Sequence, residues 1–288
     1  MKIDLVLARN LVREQFPQWE ELEIRPVAQS GWDHRTFHLG DEMLLRLPSA
    51  ARYEHQVAKE QKWLPWLGEQ LSFVVPQPLA RGRAGCGYPY EWSVYRWLEG
   101  ETAVGFTGDR CQLASDLAAS LRELQRLKTA GGPRPSGHNF YRGGHPTHYE
   151  EEVFAAVANL DETFSGEQIL ALWHSWTASS WADEPQWLHG DVSPGNLLLR
   201  DGRLWGLIDF GGLAVGDPAC DLAIAWTFFE GESRREFAKA MKVDEATWWR
   251  GAAWALWKAA IIYGGNCEGN KAAAKKVIEE LKNDAHLS

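Results

Sequence analysis

The sequence predicts an α+β chain in which an antiparallel sheet lobe, residues 1–98, precedes a mainly helical lobe, residues 99–288. Three observations carry that expectation. Short strand-period apolar runs crowd the first third, helix-period runs dominate from about residue 110, and one hairpin pattern near residue 200 interrupts the helices.

Met1 to Phe16 sets Lys2, Asp4, Arg9, Arg13 and Glu14 among apolar residues at helical spacing, so it lacks a signal peptide's unbroken apolar core. Ile24 to Val27, Thr36 to Leu39 and Met43 to Leu47 read as strands, broken by Ser30-Gly31 and Gly40-Asp41. Arg52 to Leu67 carries a helical pattern, with Pro65 expected to limit its far end. Leu79 to Gly82 and Trp92 to Leu98 read as another strand pair, ended by Glu99-Gly100. Beyond them, Cys111 to Leu127 gathers Ala114, Leu117, Ala118, Leu121 and Leu124 on one face. Ala130 to Pro146, rich in Gly, Pro and His, is a loop. Helices are expected at 149–160, 166–181, 221–229, 245–263 and 271–282, with no internal repeat.

Composition excludes several classes. Apolar residues make up 45% and charged residues 24%, as in ordinary globular proteins. A formal net charge of −9 argues against sequence-independent nucleic-acid binding, which needs clustered Lys and Arg. Cys86, Cys111, Cys220 and Cys267 are widely separated, so neither a zinc site nor a disulfide framework is expected. No stretch approaches transmembrane length, and a cytoplasmic monomer or dimer without membrane contact is the expectation. The 16 Trp residues allow two readings, core packing for most or an aromatic wall for ring-shaped ligands.

The chemistry is concentrated in His189-Gly-Asp-Val-Ser-Pro-Gly-Asn196 and Leu207-Ile-Asp-Phe-Gly211. An acceptor hydroxyl is a poor nucleophile, and Asp191 is the candidate base that orients it and takes its proton. Hard Mg²⁺ takes oxygen ligands from carboxylates and side-chain amides, and Asn196 and Asp209 are the candidates. Between them two apolar runs flank Asp201-Gly202, a strong hairpin signal, so the two ligands should finish side by side. Taken singly, each motif is also explained by an ordinary turn. Together, in this order and spacing, they point to phosphoryl transfer.

The first lobe should then hold the nucleotide. Ser30-Gly31, between two expected strands, is the candidate phosphate lid, because Gly lets backbone amides approach closely. Arg46 places a cation inside a strand, and Glu60 on the next helix is placed to orient it. Tyr95-Arg96-Trp97-Leu98 falls between the lobes, where backbone groups near Arg96 and Leu98 can bond a base. Glu230, Glu232 and Glu268 are candidates to receive substrate ammonium groups, although solvated helix ends explain them equally well.

These residues resemble the aminoglycoside phosphotransferase family, which also contains macrolide kinases and related small-molecule kinases. The matching runs are 189–196, 208–211 and Gly216-Asp-Pro-Ala-Cys-Asp-Leu222, with Ser30-Gly-Trp-Asp33, Leu45-Arg-Leu47, Glu60 and Val94 to Gly100 in the first lobe. The resemblance implies a protein-kinase-like two-lobe fold. It further implies Asp191 as base, Asn196 and Asp209 as Mg²⁺ ligands, Arg46 with Glu60 as the phosphate-binding pair, and ATP or GTP as donor. Many members carry Lys at Arg46 and Asn at His34, so this chain departs there. Asp217 and Asp221 are expected to be structural, Asp221 as a helix cap, and His189 a loop-holding donor.

The expected activity is Mg²⁺-dependent transfer of a γ-phosphoryl group to a small hydroxylated acceptor, first an aminoglycoside-like antibiotic. A macrolide, an ordinary hydroxylated metabolite and a non-catalytic nucleotide-binding module are the alternatives. Hydrolysis by Ser193 is a distant one, because the Gly-x-Ser-x-Gly elbow is missing.

Overall fold

The computed structural model describes residues 2–27, 31, 33–160, 162–264 and 268–285. Ser30, Trp32 and Cys267, singled out above, lie outside the described residues.

The first lobe begins with helix α1 (Leu5–Gln15), which starts where the Asp4 carboxylate accepts the Val6 and Leu7 N–H groups. Strands β1 (Ile24–Pro26), β2 (His34–Leu39), β3 (Met43–Pro48), β4 (Pro78–Gly82) and β5 (Trp92–Arg96) form one antiparallel sheet in the order β1-β2-β3-β5-β4. Side chains alternate across a strand, and β3 uses both faces. Leu45 and Leu47 pack with Ala8, Leu11 and Val12 of α1, whereas Leu44 and Arg46 line a cleft on the opposite face.

Helix α2 (Ala51–Gln70) covers that opposite face. It runs straight through Pro65, contrary to the expected stop. Pro65 is exposed, so the carbonyl deprived of its N–H partner can turn to water, while buried Leu64 and Leu67 hold the helix in place. Those two leucines belong to the large core of the second lobe, which makes α2 a shared element of both.

The second lobe is built on α3 (Arg110–Gln125), whose buried face carries the five residues expected plus Leu113 and Ser120. Around it pack α4 (Glu150–Val157), α5 (Gly166–Trp176), α6 (Ile224–Thr227), α7 (Gly231–Met241), α8 (Glu245–Tyr263) and α9 (Glu268–Ala285). The helix expected at 221–229 is shorter, because residues 218–223 form a tighter 3₁₀ segment capped by Asp217. Helix α7 was not expected from the sequence. Short strands β6 (Glu101–Thr102), β8 (Leu197–Arg200) and β9 (Arg203–Leu207) make one small sheet, and β7 (Gln186–Leu188) with β10 (Ala214–Gly216) another. Seven of the 16 Trp residues are buried and five more pack partly buried against the two cores, so core packing accounts for most of the aromatic excess. No described helix is long and apolar enough to cross a membrane.

Candidate active site

The β8–β9 hairpin forms because Asp201 and Gly202 both adopt left-handed backbone angles, φ 51° and 73°, which a tight hairpin turn demands. Its open end carries the chemistry. Ile208 N–H donates to the Asn196 carbonyl at 3.0 Å, so Asn196 at the entrance and Asp209 at the exit sit side by side. Asn196 Nδ2 donates to the Asp191 carbonyl at 2.8 Å and lies 3.3 Å from Asp191 Oδ2. That leaves Asn196 Oδ1 without a hydrogen bond among the described residues. Asp209 Oδ2 is likewise unbonded there, and the residue stands at φ 64°, an uncommon backbone state for a non-glycine. Two hard oxygen atoms are thus left open, which fits Mg²⁺ bound by one or two protein groups plus substrate phosphates.

The loop carrying Asp191 is fastened from beneath. The buried Asp221 carboxylate accepts the His189 N–H at 2.8 Å and the Gly190 N–H at 2.7 Å. Asp221 is therefore not the expected helix cap, a place taken by Asp217; it sits within the 3₁₀ segment and holds the loop that carries Asp191. Burial raises its pKa despite those bonds. His189 Nδ1 accepts the Asp191 N–H at 3.2 Å while Nε2 bonds the Ile208 carbonyl at 3.0 Å, so the ring links both arms of the motif. At Gly190, φ is 87° and an added Cβ would stand 2.2 Å from the Gly212 carbonyl oxygen, so only glycine lets these two segments touch.

Asp191 itself is 43% exposed, and Lys258 of α8 lies 3.2 Å from its Oδ1. Burial pushes the Asp191 pKa up, but Lys258 and Arg142 outweigh it and hold the group below the ordinary carboxylate value. The carboxylate is ionised and able to accept a proton.

On the opposite wall, Arg46 is the hub. Its Nη1 lies 3.3 Å from both Glu60 oxygens and its Nη2 2.9 Å from Asp209 Oδ1. Burial works against its charge, but Asp209 and Glu60 hold the pKa well above the ordinary value. Tyr95 Oη donates to Glu60, fixing the carboxylate that fixes the arginine. Lys59 donates to the Gly211 carbonyl, tying α2 to the Asp209 segment, and burial pushes its pKa down to about 8.

Between these walls lies a cleft of about 460 Å³, lined by Gly31, Asp33, Thr36, Leu44, Arg46, Tyr95, Arg96, Leu98, Asn196, Leu198, Ile208 and Asp209. The sequence candidates for nucleotide and metal therefore converge, with Ser30 outside the described residues. Within the connector, the Arg96 N–H bonds the Gln77 carbonyl and the Trp97 N–H the Glu42 carbonyl. The Leu98 N–H has no partner among the described residues. Asp33 joins the site through His34 Nδ1 at 3.2 Å.

A scan of family models matches residues 23–256 to the phosphotransferase enzyme family. The chain belongs to that family. The phosphotransferase is 27% identical to an aminoglycoside 3'-phosphotransferase from Escherichia coli over 218 residues, covering 71% of this chain and 76% of the relative. Its fold is that of the GDP complex of aminoglycoside 2'-phosphotransferase-IIIa, with a TM-score of 0.77 at 19% identity, covering 98% of this chain and 100% of that one. Macrolide 2'-phosphotransferase type I also matches, with a TM-score of 0.63 at 23% identity over 96% of this chain and 98% of that one.

Among the described residues, the acidic substrate candidates do not line the nucleotide cleft; Glu230 lines a separate cavity that Lys258 also lines. Glu230 stands at the start of α7, where Lys276 meets its Oε1 at 2.7 Å and Arg110 approaches to 3.8 Å. Glu268 begins α9, and Glu232 lies in the first turn of α7. The structure also brings to the Asp191 region two cations that were not among the sequence candidates, Lys258 and Arg142. Lys258 was visible as the only charged residue between Gly251 and Tyr263, and an isolated cation in an apolar helix needs a partner. Arg142, in the 130–146 loop, carried no such signal.

Proposed function

We propose that this enzyme transfers the γ-phosphoryl group of ATP or GTP to a hydroxyl of a small molecule in a Mg²⁺-dependent reaction. The observation that supports it most is the direct bonding of Asp191, Asn196 and Ile208-Asp209 into one cluster, to which Arg46 is joined through Asp209 at 2.9 Å.

Asp191 accepts the proton of the acceptor hydroxyl, whose oxygen forms a bond to the γ-phosphorus as the bond to the bridging oxygen breaks and nucleoside diphosphate leaves. Arg46, kept charged by Glu60, offers a guanidinium to the phosphate oxygens. The unbonded Leu98 N–H offers the base a donor. When bound, Mg²⁺ would be held by Asn196 Oδ1 and Asp209 Oδ2 and would supply charge neutralisation at the phosphates. Asp221 and His189 keep the loop in register, so that Asp191 is positioned before substrate arrives.

γ-Labelled ATP and GTP, incubated with Mg²⁺ and a panel of aminoglycosides, macrolides and hydroxylated metabolites, test this reading with Asp191→Ala as control. Label should pass to at least one acceptor and not in the variant. Nucleotide binding without transfer to any member would instead support the non-catalytic module.

A further inference from the structure

The acceptor side of Asp191 is cationic. Lys258 sits 3.2 Å from the base. Arg142 stacks its guanidinium over Trp254 and Trp257, the neighbour of Lys258 in α8, at 4.9 and 4.7 Å from the ring centroids. Among the described residues no carboxylate lies within ion-pairing distance of Arg142. Beside this site, Lys258 also lines a cavity of about 250 Å³ between α6, α8 and α9. The two acids that line the cavity are already occupied by the chain's own cations, Glu230 by Lys276 at 2.7 Å and Glu280 by Arg234 at 2.8 Å. Glu152 is the nearby exception, accepting the Trp257 indole N–H at 2.9 Å.

A polycationic acceptor meets the wrong charges here. Its ammonium groups would approach Lys258 and Arg142, and Asp191, Glu230 and Glu280 are already ion-paired, while Glu150 and Glu152 accept indole N–H groups of Trp173 and Trp257. An acceptor with a carboxylate or phosphate group would instead give Arg142 the anionic partner that it does not find among the described residues. It would also draw Lys258 away from Asp191, freeing the base for its hydroxyl.

Resting on the phosphotransfer reading above, we infer that the acceptor is an anionic hydroxylated molecule whose carboxylate or phosphate seats on Arg142 and Lys258, with the reacting hydroxyl beside Asp191. Arg142 and Lys258 are specificity-determining residues.

The test uses the full chain with Mg²⁺ and γ-labelled ATP or GTP, and matched acceptors: glycerol, glycerate and glycerol phosphate; glucose, gluconate and glucuronate; kanamycin. At least one anion is expected to exceed its neutral counterpart by about tenfold or more in kcat/KM, a difference carried by one charge-assisted contact. Arg142→Gln and Lys258→Gln should raise the KM for that anion and leave the KM for nucleotide unchanged, while Arg142→Lys recovers part of the loss. If Arg142 merely packs its loop against α8, the Gln variant lowers the melting temperature without changing the ratio of anionic to neutral turnover, and the inference falls. It also falls if no anion outperforms its neutral counterpart, or if kanamycin is the better substrate. Label on any acceptor keeps the phosphotransfer reading even then; a chain that neither binds Mg-nucleotide nor labels anything loses both.

Discussion

Arg46 on β3 reaches Asp209, 163 positions later in the chain, at 2.9 Å, and the same guanidinium is held from behind by Glu60 at 3.3 Å. One side chain therefore bridges the sheet and the exit of the β8–β9 hairpin. Arg46→Ala leaves Glu60 buried without its partner, and breaking such a pair costs about 3–5 kcal/mol. Denaturant titration should show a loss of that order, and the nucleotide KM should rise roughly ten- to a hundredfold. Arg46→Lys should recover charge but not the simultaneous reach to both carboxylates, giving an intermediate KM.

Asp191→Asn keeps the size of the side chain and removes its basicity. General-base contributions run to about 10²–10⁴-fold, so kcat should fall by that factor while nucleotide binding, measured by calorimetry, persists. A variant with full turnover would show that Asp191 is not the base.

Asp221→Ala should act at a distance from the reacting atoms. It strands the His189 and Gly190 N–H groups in the interior, at about 1–3 kcal/mol for each unsatisfied donor. The melting temperature and kcat should fall together. Asp221→Asn should lie between, because an amide offers one acceptor oxygen and sets its NH₂ against the second donor.

The Asp191–Lys258 contact makes a pH prediction. The folded pKa of Asp191 is lowered, since Lys258, Arg142 and His189 outweigh burial, so the base stays ionised to below the ordinary carboxylate value of 3.8. Its contribution to stability is present above the unfolded pKa and is lost as pH falls through the lower folded one. Lys258→Gln removes the nearest cation, so the Asp191 pKa rises and the acid limb of kcat/KM moves to higher pH. The carboxyl ¹³C shift of Asp191 reads the same change directly, and an unmoved limb and shift in the variant would exclude this role for Lys258.

Lys59 gives the opposite end of the pH scale. Its folded pKa is pushed from 10.5 to about 8 by burial, so ionisation in the folded state is disfavoured by an amount on the order of 3 kcal/mol. That cost is full below pH 8 and disappears as pH rises to 10.5, where the unfolded chain also loses its proton. Unfolding free energies of wild type and Lys59→Met should therefore converge or cross between pH 8 and 10.5. Parallel curves across that window would show that Lys59 titrates normally.

The sequence by itself determined the β8–β9 hairpin, the order Asp191, Asn196, Asp209, the amphipathic face of α3 and the two-part architecture. Each depends on short-range rules: Asp201-Gly202 turns the chain, apolar spacing selects the face, and a hairpin brings its own ends together. Only the tertiary structure decided that α2 passes through Pro65, because the exposure of that residue and the burial of Leu64 and Leu67 are properties of packing. It also decided that Asp221 fastens the catalytic loop instead of capping a helix, since its partners lie 31 and 32 positions away. The same holds for the charge beside Asp191. Lys258 reaches it from a distant helix and Arg142 acts on it from an irregular loop, and Coulomb attraction depends on distance in space, which spacing along the chain does not disclose.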